Sequence, residues 1–233
     1  MVEERNGTRL VWDLPLRMFH WLLVAAIATS WVTHELGIEY FDWHVRAGYV
    51  TLVLLAFRIA WGFVGPRHAR FAGFLRGPRA VMAYLRTARR VESATTVGHN
   101  PLGGWSIVVM LGLLLFQALT GLFSNDEIFN TGPLYGYVSD DQSDRLTRLH
   151  NQNFDWLLVF AGLHLAAVAW YQWFKGVDLV RPMLTGRKSA SLVPPGEEVS
   201  RQRLWLAVVL VALAATALWR VVASAPSASM SFY

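Results

Sequence analysis

Five long apolar stretches constrain this chain more than any other feature of its sequence. They run from Leu14 to His34, from His44 to Val64, from Gly104 to Phe123, from His150 to Phe174 and from Leu204 to Val222. A helix needs about 20 apolar residues to cross the roughly 30 Å hydrocarbon core of a bilayer, and each stretch is close to that length. Because an open strand would leave its backbone groups unpaired in lipid, each span is predicted to be helical. The sequence therefore predicts an all-α bundle of transmembrane helices.

The composition of the chain agrees with a membrane environment. Of its 233 residues, 54% are hydrophobic and 16% are charged, whereas soluble domains carry about 25% charged residues. The chain has no cysteine. This excludes disulfides, iron–sulfur clusters, thiolate zinc sites and covalent c-type heme attachment. A bound metal would have to be held by histidine, carboxylate or methionine.

The basic residues cluster in alternate loops. The segment between the second and third spans and the segment between the fourth and fifth spans are rich in arginine and lysine, whereas residues 35–43 contain neither. Residues 124–149 carry more carboxylates than basic side chains. Since cytoplasmic loops are enriched in lysine and arginine, the N-terminus is predicted to be cytoplasmic and the C-terminus periplasmic, in a bacterial inner membrane. This distribution explains the net positive charge, and binding to nucleic acid is not expected.

Three regions are predicted along the chain. They are residues 1–185 as a four-helix core, residues 186–203 as a cytoplasmic linker, and residues 204–233 as an extra transmembrane helix with a periplasmic tail. Asn100, which precedes a proline, is expected to cap the third span. The stretch Pro78–Arg90 mixes arginines with apolar residues and is predicted to be a short helix on the cytoplasmic interface.

Histidines inside the spans are the main candidate functional residues, because ionisable groups within a membrane are uncommon and usually functional. His150 and His164 are 14 residues apart. At about 100° and 1.5 Å per residue, they share one helix face and lie about 21 Å apart. Two imidazoles at two depths suit two stacked porphyrins, whereas the ligands of a single metal ion must converge on one point. His20 in the first span matches the predicted depth of His164.

Two histidines are candidates to face His150. His34 follows His20 by 14 residues, so the first span repeats the spacing of the fourth. His44 begins the second span, and Gly48, one turn later, would let a flat macrocycle approach the backbone. The spacing slightly favours His34 and the neighbourhood favours His44, so both alternatives remain open on the pattern alone.

Two arginines are further candidates for cofactor contact. Arg58 lies inside the second span, where a buried guanidinium needs an anion such as a heme propionate. The alternative is that its charged end reaches the cytoplasmic interface. Arg17 lies one turn before His20, and the same two alternatives, contact with a heme propionate or reach to the cytoplasmic interface, apply to it. His68 and His99 lie in or beside cytoplasmic loops and are expected to be ordinary solvated histidines, with proton exchange with a quinone as the functional alternative.

Four short segments resemble the bacterial cytochrome b561 and nickel-hydrogenase cytochrome b family. They are residues 17–21, residues 44–48, residues 98–103 and the segment from His150 to His164. The resemblance covers about residues 10–185. It implies two heme b groups, each held by two histidines, in a four-helix core to which the fifth helix is added. It pairs His20 with His164 on the cytoplasmic side and His44 with His150 on the periplasmic side.

The resemblance also implies electron transport. Two histidines fill both axial positions of each iron and leave no site for oxygen. Electrons are expected to cross the membrane between a quinone, ubiquinone or menaquinone, and a periplasmic c-type cytochrome or dehydrogenase subunit. The alternatives are a superoxide:quinone oxidoreductase, with Arg145 and Arg148 attracting the anion, and a membrane anchor subunit of a dehydrogenase or hydrogenase.

Overall fold

Five long helices dominate the computed structural model, which describes residues 7–87, 96–128 and 130–226. They are α1 (Leu14–Glu35), α2 (Phe41–Val64), α5 (Pro101–Gly121), α6 (Asp140–Trp173) and α8 (Leu204–Ala223). Each is long and apolar enough to cross a membrane. The predicted all-α fold with five membrane spans is therefore confirmed.

The ends of two of these helices show what local signals contribute. Asn100 Oδ1 accepts a hydrogen bond from the Gly103 backbone N–H at 2.7 Å, which confirms Asn100 as the cap of α5. The fourth span was expected to begin at His150, but α6 begins ten residues earlier, at Asp140. There Ser139 and Gln142 exchange side-chain to backbone hydrogen bonds, the reciprocal capping arrangement that starts helices. Hydropathy alone does not detect this polar first part of α6.

Three shorter helices lie between the spans. They are α3 (Phe71–Phe74), α4 (Pro78–Thr87) and α7 (Val180–Thr185). In α4, Met82 and Leu85 are exposed on a helix that also carries Arg79 and Arg86. The stretch predicted to be an interfacial helix is therefore helical over most of its length. Its last residues fall in 88–95, outside the described residues, as do residues 227–233 of the predicted tail.

A short antiparallel sheet joins the two ends of the predicted core. Strand β1 (Thr8–Leu10) pairs with β2 (Arg187–Ser189), with Leu10 opposite Arg187. The Val199 N–H also donates to the Leu10 carbonyl at 2.7 Å. Residues 186–203, interpreted from sequence as a linker, thus carry a strand and also contain the buried Val193. The division of the chain into domains at residue 185 stays a prediction.

Contacts divide the chain into two units. The first unit comprises Met1–Phe19, Arg58–Met110 and Ala161–Ala207. It contains the sheet and the three short helices, and its buried apolar residues include Val11, Trp61, Phe74 and Val193.

The second unit comprises His20–Phe57, Leu111–Phe160 and Val208–Tyr233. The connection from α5 to α6 folds back within it. Ser143, which is fully buried, donates to the Phe123 carbonyl at 2.6 Å and accepts from Asn125 Nδ2 at the same distance. These bonds fasten the connection to the start of α6.

Candidate heme site

The rings of two candidate ligands lie close together in the second unit. The imidazole ring of His44, on α2, and that of His150, on α6, have centroids 6.2 Å apart, with an angle of 69° between their planes. A metal–imidazole bond is about 2 Å, and each ring centre lies about 1.2 Å behind its nitrogen, so two axial imidazoles on one iron have centres about 6.4 Å apart. The observed spacing fits a pair of axial ligands.

Hydrogen bonds to backbone carbonyls orient both rings. His44 Nδ1 lies 2.8 Å from the Ser30 carbonyl oxygen of α1, and His150 Nδ1 lies 2.9 Å from the Gln117 carbonyl oxygen of α5. Because a carbonyl can only accept, each Nδ1 must carry the proton and donate it. The Nε2 lone pair of each ring is then available for a metal, which is the arrangement found around ligating histidines.

The competing histidine has a different environment. The His34 ring centroid is 6.0 Å from that of His44, but its side chain is exposed. Within residues 7–87, 96–128 and 130–226, no group hydrogen-bonds to the His34 ring. The choice of His44 rather than His34 remains a prediction, which the orientation of His44 supports.

Glycines leave room around these rings. A Cβ atom at Gly121 would lie 2.9 Å from His150 Cε1, so this position in α5 must stay small for the ring to sit where it does. At Gly48, Gly112 and Gly162, nothing lies within 4 Å of such an atom, which leaves space for a large planar group at Gly48. In the part of the chain that the structure describes, no three histidine or carboxylate side chains cluster as ligands of a bare ion. The donor set thus fits a porphyrin with two protein ligands.

The other two candidate ligands lie in different units. His20 belongs to the second unit, is half-buried and meets the ring of Trp21 edge-on at 4.9 Å. His164 belongs to the first unit and its side chain is exposed on α6. Their pairing stays a prediction from the sequence.

Arg58 is buried in the first unit. Its side chain is only 2% exposed, and its guanidinium lies 5.1 Å and 5.8 Å from the ring centres of Phe71 and Phe74. Among the described residues, Nη1 has no hydrogen-bond partner. The guanidinium therefore does not reach interfacial water, and it keeps a donor free for an anion such as a propionate.

Arg17 has a structural partner instead. Its Nη1 donates to the Leu184 carbonyl near the end of α7, where the helix dipole is negative. The structure therefore ties this side chain to a helix end, and its predicted contact with a cofactor remains a prediction.

A buried carboxylate that the sequence did not single out lies just before α1. Asp13 is 1% exposed, and its Oδ1 accepts hydrogen bonds from the Leu16 N–H at 3.0 Å and from Trp61 Nε1 at 3.1 Å. Burial raises the pKa of Asp13, while these hydrogen bonds and the nearby Arg58 act in the opposite direction. An aspartate directly before an apolar helix is a recognisable cap signal, but the bond to Trp61 is not local.

The expectation that His68 and His99 are ordinary solvated side chains is wrong. The His99 ring packs against Trp12 and Phe74, with centroids 4.6 Å and 5.1 Å away. Burial, followed by the charges of Arg58 and Lys188, lowers the pKa of His99 to about 3. His68 is half-buried, and its Nε2 lies 2.7 Å from the Glu197 carbonyl oxygen.

Two tyrosines of the first unit form a hydrogen-bonded group. The hydroxyl of Tyr84 on α4 bonds to that of Tyr171 near the end of α6. Asn100 Nδ2 donates to the same Tyr171 hydroxyl at 2.9 Å, so the residue that caps α5 also fixes this side chain. The chain position of Tyr171 predicts an aromatic at the interface, and the structure adds polar partners from two other segments.

Comparisons with known proteins give a consistent result. The family model described as prokaryotic cytochrome b561 matches residues 11–186. A probable Ni/Fe-hydrogenase B-type cytochrome subunit of Rhodobacter capsulatus is 26% identical, over 80% of this chain and 83% of the relative. A protein with the same description in Rhizobium leguminosarum bv. viciae is 26% identical, over 76% of this chain and 87% of the relative. Another in Azotobacter chroococcum mcd 1 is 25% identical, over 76% of this chain and 86% of the relative.

No solved structure matches the chain significantly. The family model, however, spans most of its length, and the resemblance seen in the four short segments is confirmed. The chain thus belongs to the prokaryotic cytochrome b561 family and is a membrane-integral b-type cytochrome, a class whose cofactor is heme b.

Proposed function

We propose that this chain binds two heme b groups, each between two histidines, and carries electrons across the bacterial inner membrane. His44 and His150 hold the outer group, and His20 and His164 hold the inner one. One end exchanges electrons with a quinone, ubiquinone or menaquinone, and the other exchanges them with a periplasmic redox protein.

The observation that carries this proposal is the close pair of His44 and His150, whose rings are both oriented by backbone carbonyls. Their rings have the separation of axial ligands, and both Nδ1 atoms donate to carbonyls, so both Nε2 atoms are ready to bind a metal. Bound heme b supplies one-electron exchange between ferric and ferrous iron. The carbonyls of Ser30 and Gln117 fix the two rings in advance, so the ligands need not reorganise when the charge changes.

Support for the inner pair comes from the sequence. His164 follows His150 by two heptads on the uninterrupted helix α6, and His20 lies at the matching depth of the first span. Arg58 adds a buried guanidinium with an unpaired donor, and the rings of Phe71 and Phe74 shield it from water. A propionate could accept a hydrogen bond from this donor.

The arginine-rich loops support a cytoplasmic N-terminus. The relatives described as hydrogenase cytochrome subunits favour a Ni/Fe-hydrogenase as the periplasmic partner over a free c-type cytochrome. The chain would then be the membrane subunit of that enzyme. Purification of the tagged chain from membranes of its native host, with mass spectrometry of the associated proteins, tests this choice. A hydrogenase subunit is expected, whereas a c-type cytochrome would favour the other partner.

Counting hemes in single variants tests the function directly. The purified protein is expected to show a b-type band in its reduced-minus-oxidised spectrum, with two hemes per chain. His44→Ala and His150→Ala should each retain about half of the heme, because one iron loses an axial ligand. His34→Ala, the matched control, should retain both.

Two results would contradict these assignments. A protein without any b-type band would overturn the electron-transfer function itself. Loss of one heme in His34→Ala, with both kept in His44→Ala, would instead reassign the outer ligand.

A further inference from the structure

Two threonines in the second unit repeat one arrangement beside the outer histidines. In α1, Thr33 Oγ1 lies 2.7 Å and 3.1 Å from the carbonyl oxygens of the residues four and three positions earlier. In α5, Thr120 Oγ1 does the same at 2.8 Å and 3.0 Å. Both threonines are buried, at 8% and 4% exposure, so their hydroxyls have no water to bond instead. The arrangement is therefore fixed by the two helices.

In both helices, the carbonyl oxygen three residues before the threonine also accepts a hydrogen bond from the imidazole. The Ser30 carbonyl oxygen accepts hydrogen bonds from Thr33 Oγ1 and from His44 Nδ1. The Gln117 oxygen accepts hydrogen bonds from Thr120 Oγ1 and His150 Nδ1 in the same way, and here Thr120 Oγ1 also lies 3.3 Å from His150 Nδ1. The two outer ligands, which come from different helices, are thus held by copies of one hydroxyl–carbonyl–imidazole arrangement.

The threonine affects both the position and the strength of the imidazole bond. A hydroxyl that bonds back to carbonyls within its own helix bends the local backbone, which turns these carbonyls away from regular helix geometry. A carbonyl oxygen has two lone pairs, and a second donor draws electron density from the oxygen that the first donor uses. The hydrogen bond from the imidazole N–H to the shared carbonyl oxygen is therefore weaker than a hydrogen bond to a carbonyl oxygen with no second donor.

Hydrogen-bond acceptors of the Nδ1–H group raise the basicity of a ligating histidine. A weaker hydrogen bond from Nδ1–H therefore makes the ligating Nε2 less basic. A less basic ligand stabilises ferric iron less. We propose that Thr33 and Thr120 are positioning residues that raise the reduction potential of the outer heme by sharing the carbonyls that hold His44 and His150. This inference depends on the proposed function.

Valine variants remove each hydroxyl and keep the β-branched shape. In a redox titration of the purified protein followed by its optical spectrum, Thr33→Val and Thr120→Val should each shift the midpoint of the outer heme downward. The shift should be smaller for Thr120→Val, because the lost hydroxyl also lies 3.3 Å from His150 Nδ1. The double variant should shift it further, and the inner midpoint should stay unchanged. Thr33→Ser and Thr120→Ser should restore the original midpoint, because serine keeps the hydroxyl.

Thr51 provides a matched control. It is also buried, and its Oγ1 donates to the Ala47 carbonyl four residues earlier, at 2.9 Å. Among the described side chains, no imidazole hydrogen-bonds to that carbonyl. Thr51→Val should therefore leave both midpoints unchanged.

The outcomes separate this inference from the function it depends on. Two hemes with an unshifted or raised outer midpoint in both valine variants would overturn the inference. A matching shift in Thr51→Val would also overturn it. Loss of the outer heme from Thr33→Val and Thr120→Val, with retention in Thr51→Val and in the serine variants, would support the positioning role. A parent protein that lacks two b hemes would contradict the proposed function itself.

Discussion

The two units differ in the kind of polar group that they bury. The buried polar side chains of the second unit are neutral in the described part of the chain, and they are Thr33, Thr51, Thr120, Ser143 and Asn153. Those of the first unit are the charged Asp13 and Arg58. The second unit thus orients its histidines with hydroxyl, amide and carbonyl dipoles. The first unit holds opposite charges at the end predicted to face the cytoplasm.

This difference predicts how strongly the stability of each unit depends on a single buried polar group. A neutral network loses one modest hydrogen bond when a member is removed, whereas removing one of two buried charges leaves the other without compensation. Stability should therefore depend more on Asp13 than on any neutral group of the second unit. Three measurements test this difference between the units.

The largest effect is expected at Asp13. Replacement by alanine removes the cap of α1, the acceptor of the indole N–H of the fully buried Trp61 and a negative charge close to Arg58. The expected loss is about 2–4 kcal/mol in the free energy of unfolding. It can be measured by chemical denaturation in detergent followed by circular dichroism.

Asp13→Asn is the matched control, because it keeps the accepting oxygen and removes only the charge. It should recover the stability that comes from the hydrogen bonds to Leu16 and Trp61, whereas the stability that comes from the charge close to Arg58 should stay lost. An alanine variant as stable as the parent would show that the first unit does not rely on this buried group.

A smaller effect is expected at Asn153 in the second unit. Its Nδ2 donates to the Leu113 carbonyl at 3.0 Å and to Gln117 Oε1 at 2.7 Å, which ties α6 to α5. Asn153→Ala should cost about 1–2 kcal/mol in the same denaturation assay, since hydrogen bonds between membrane helices are modest. Asn151, exposed on the same helix, gives the control Asn151→Ala with little change. A greater loss for Asn153→Ala than for Asp13→Ala would reverse the comparison.

The smallest effect is a dependence of stability on pH. The pKa of His99 is lowered to about 3 in the folded protein, whereas an unfolded histidine titrates near 6.5. Below about pH 6.5 the unfolded chain takes up a proton that the folded protein does not, so stability falls as the pH drops from 6.5 towards 3. The expected loss between pH 7 and pH 6 is about 0.7 kcal/mol.

His99→Gln should reduce this acid sensitivity. The raised pKa of Asp13 acts in the opposite sense, because it stabilises the fold at low pH and this contribution is lost as the pH rises. Parent and variant must therefore be compared at each pH by thermal melting. An identical fall in melting temperature for both proteins would contradict the role of His99.

The spans could be predicted because hydropathy is a local property, and the same holds for the cap at Asn100. The positions of His150 and His164 on one face of α6 follow from helix periodicity. The carbonyls of Ser30 and Gln117 could not be predicted, because every residue carries a carbonyl and only the packing of two helices selects which one meets an imidazole. The bond from Asp13 to Trp61 spans 48 residues and has no local signature.

The pairing of β1 with β2 has a consequence for biosynthesis. Thr8 and Arg187 are separated by 179 residues in the chain. At about 5–20 residues per second, a ribosome needs roughly 10–35 s to make the second strand after the first. With the predicted cytoplasmic N-terminus, the first strand would remain unpaired in the cytoplasm until four spans have entered the bilayer. A bulky N-terminal fusion would interfere with this last closing step more than with insertion of the helices.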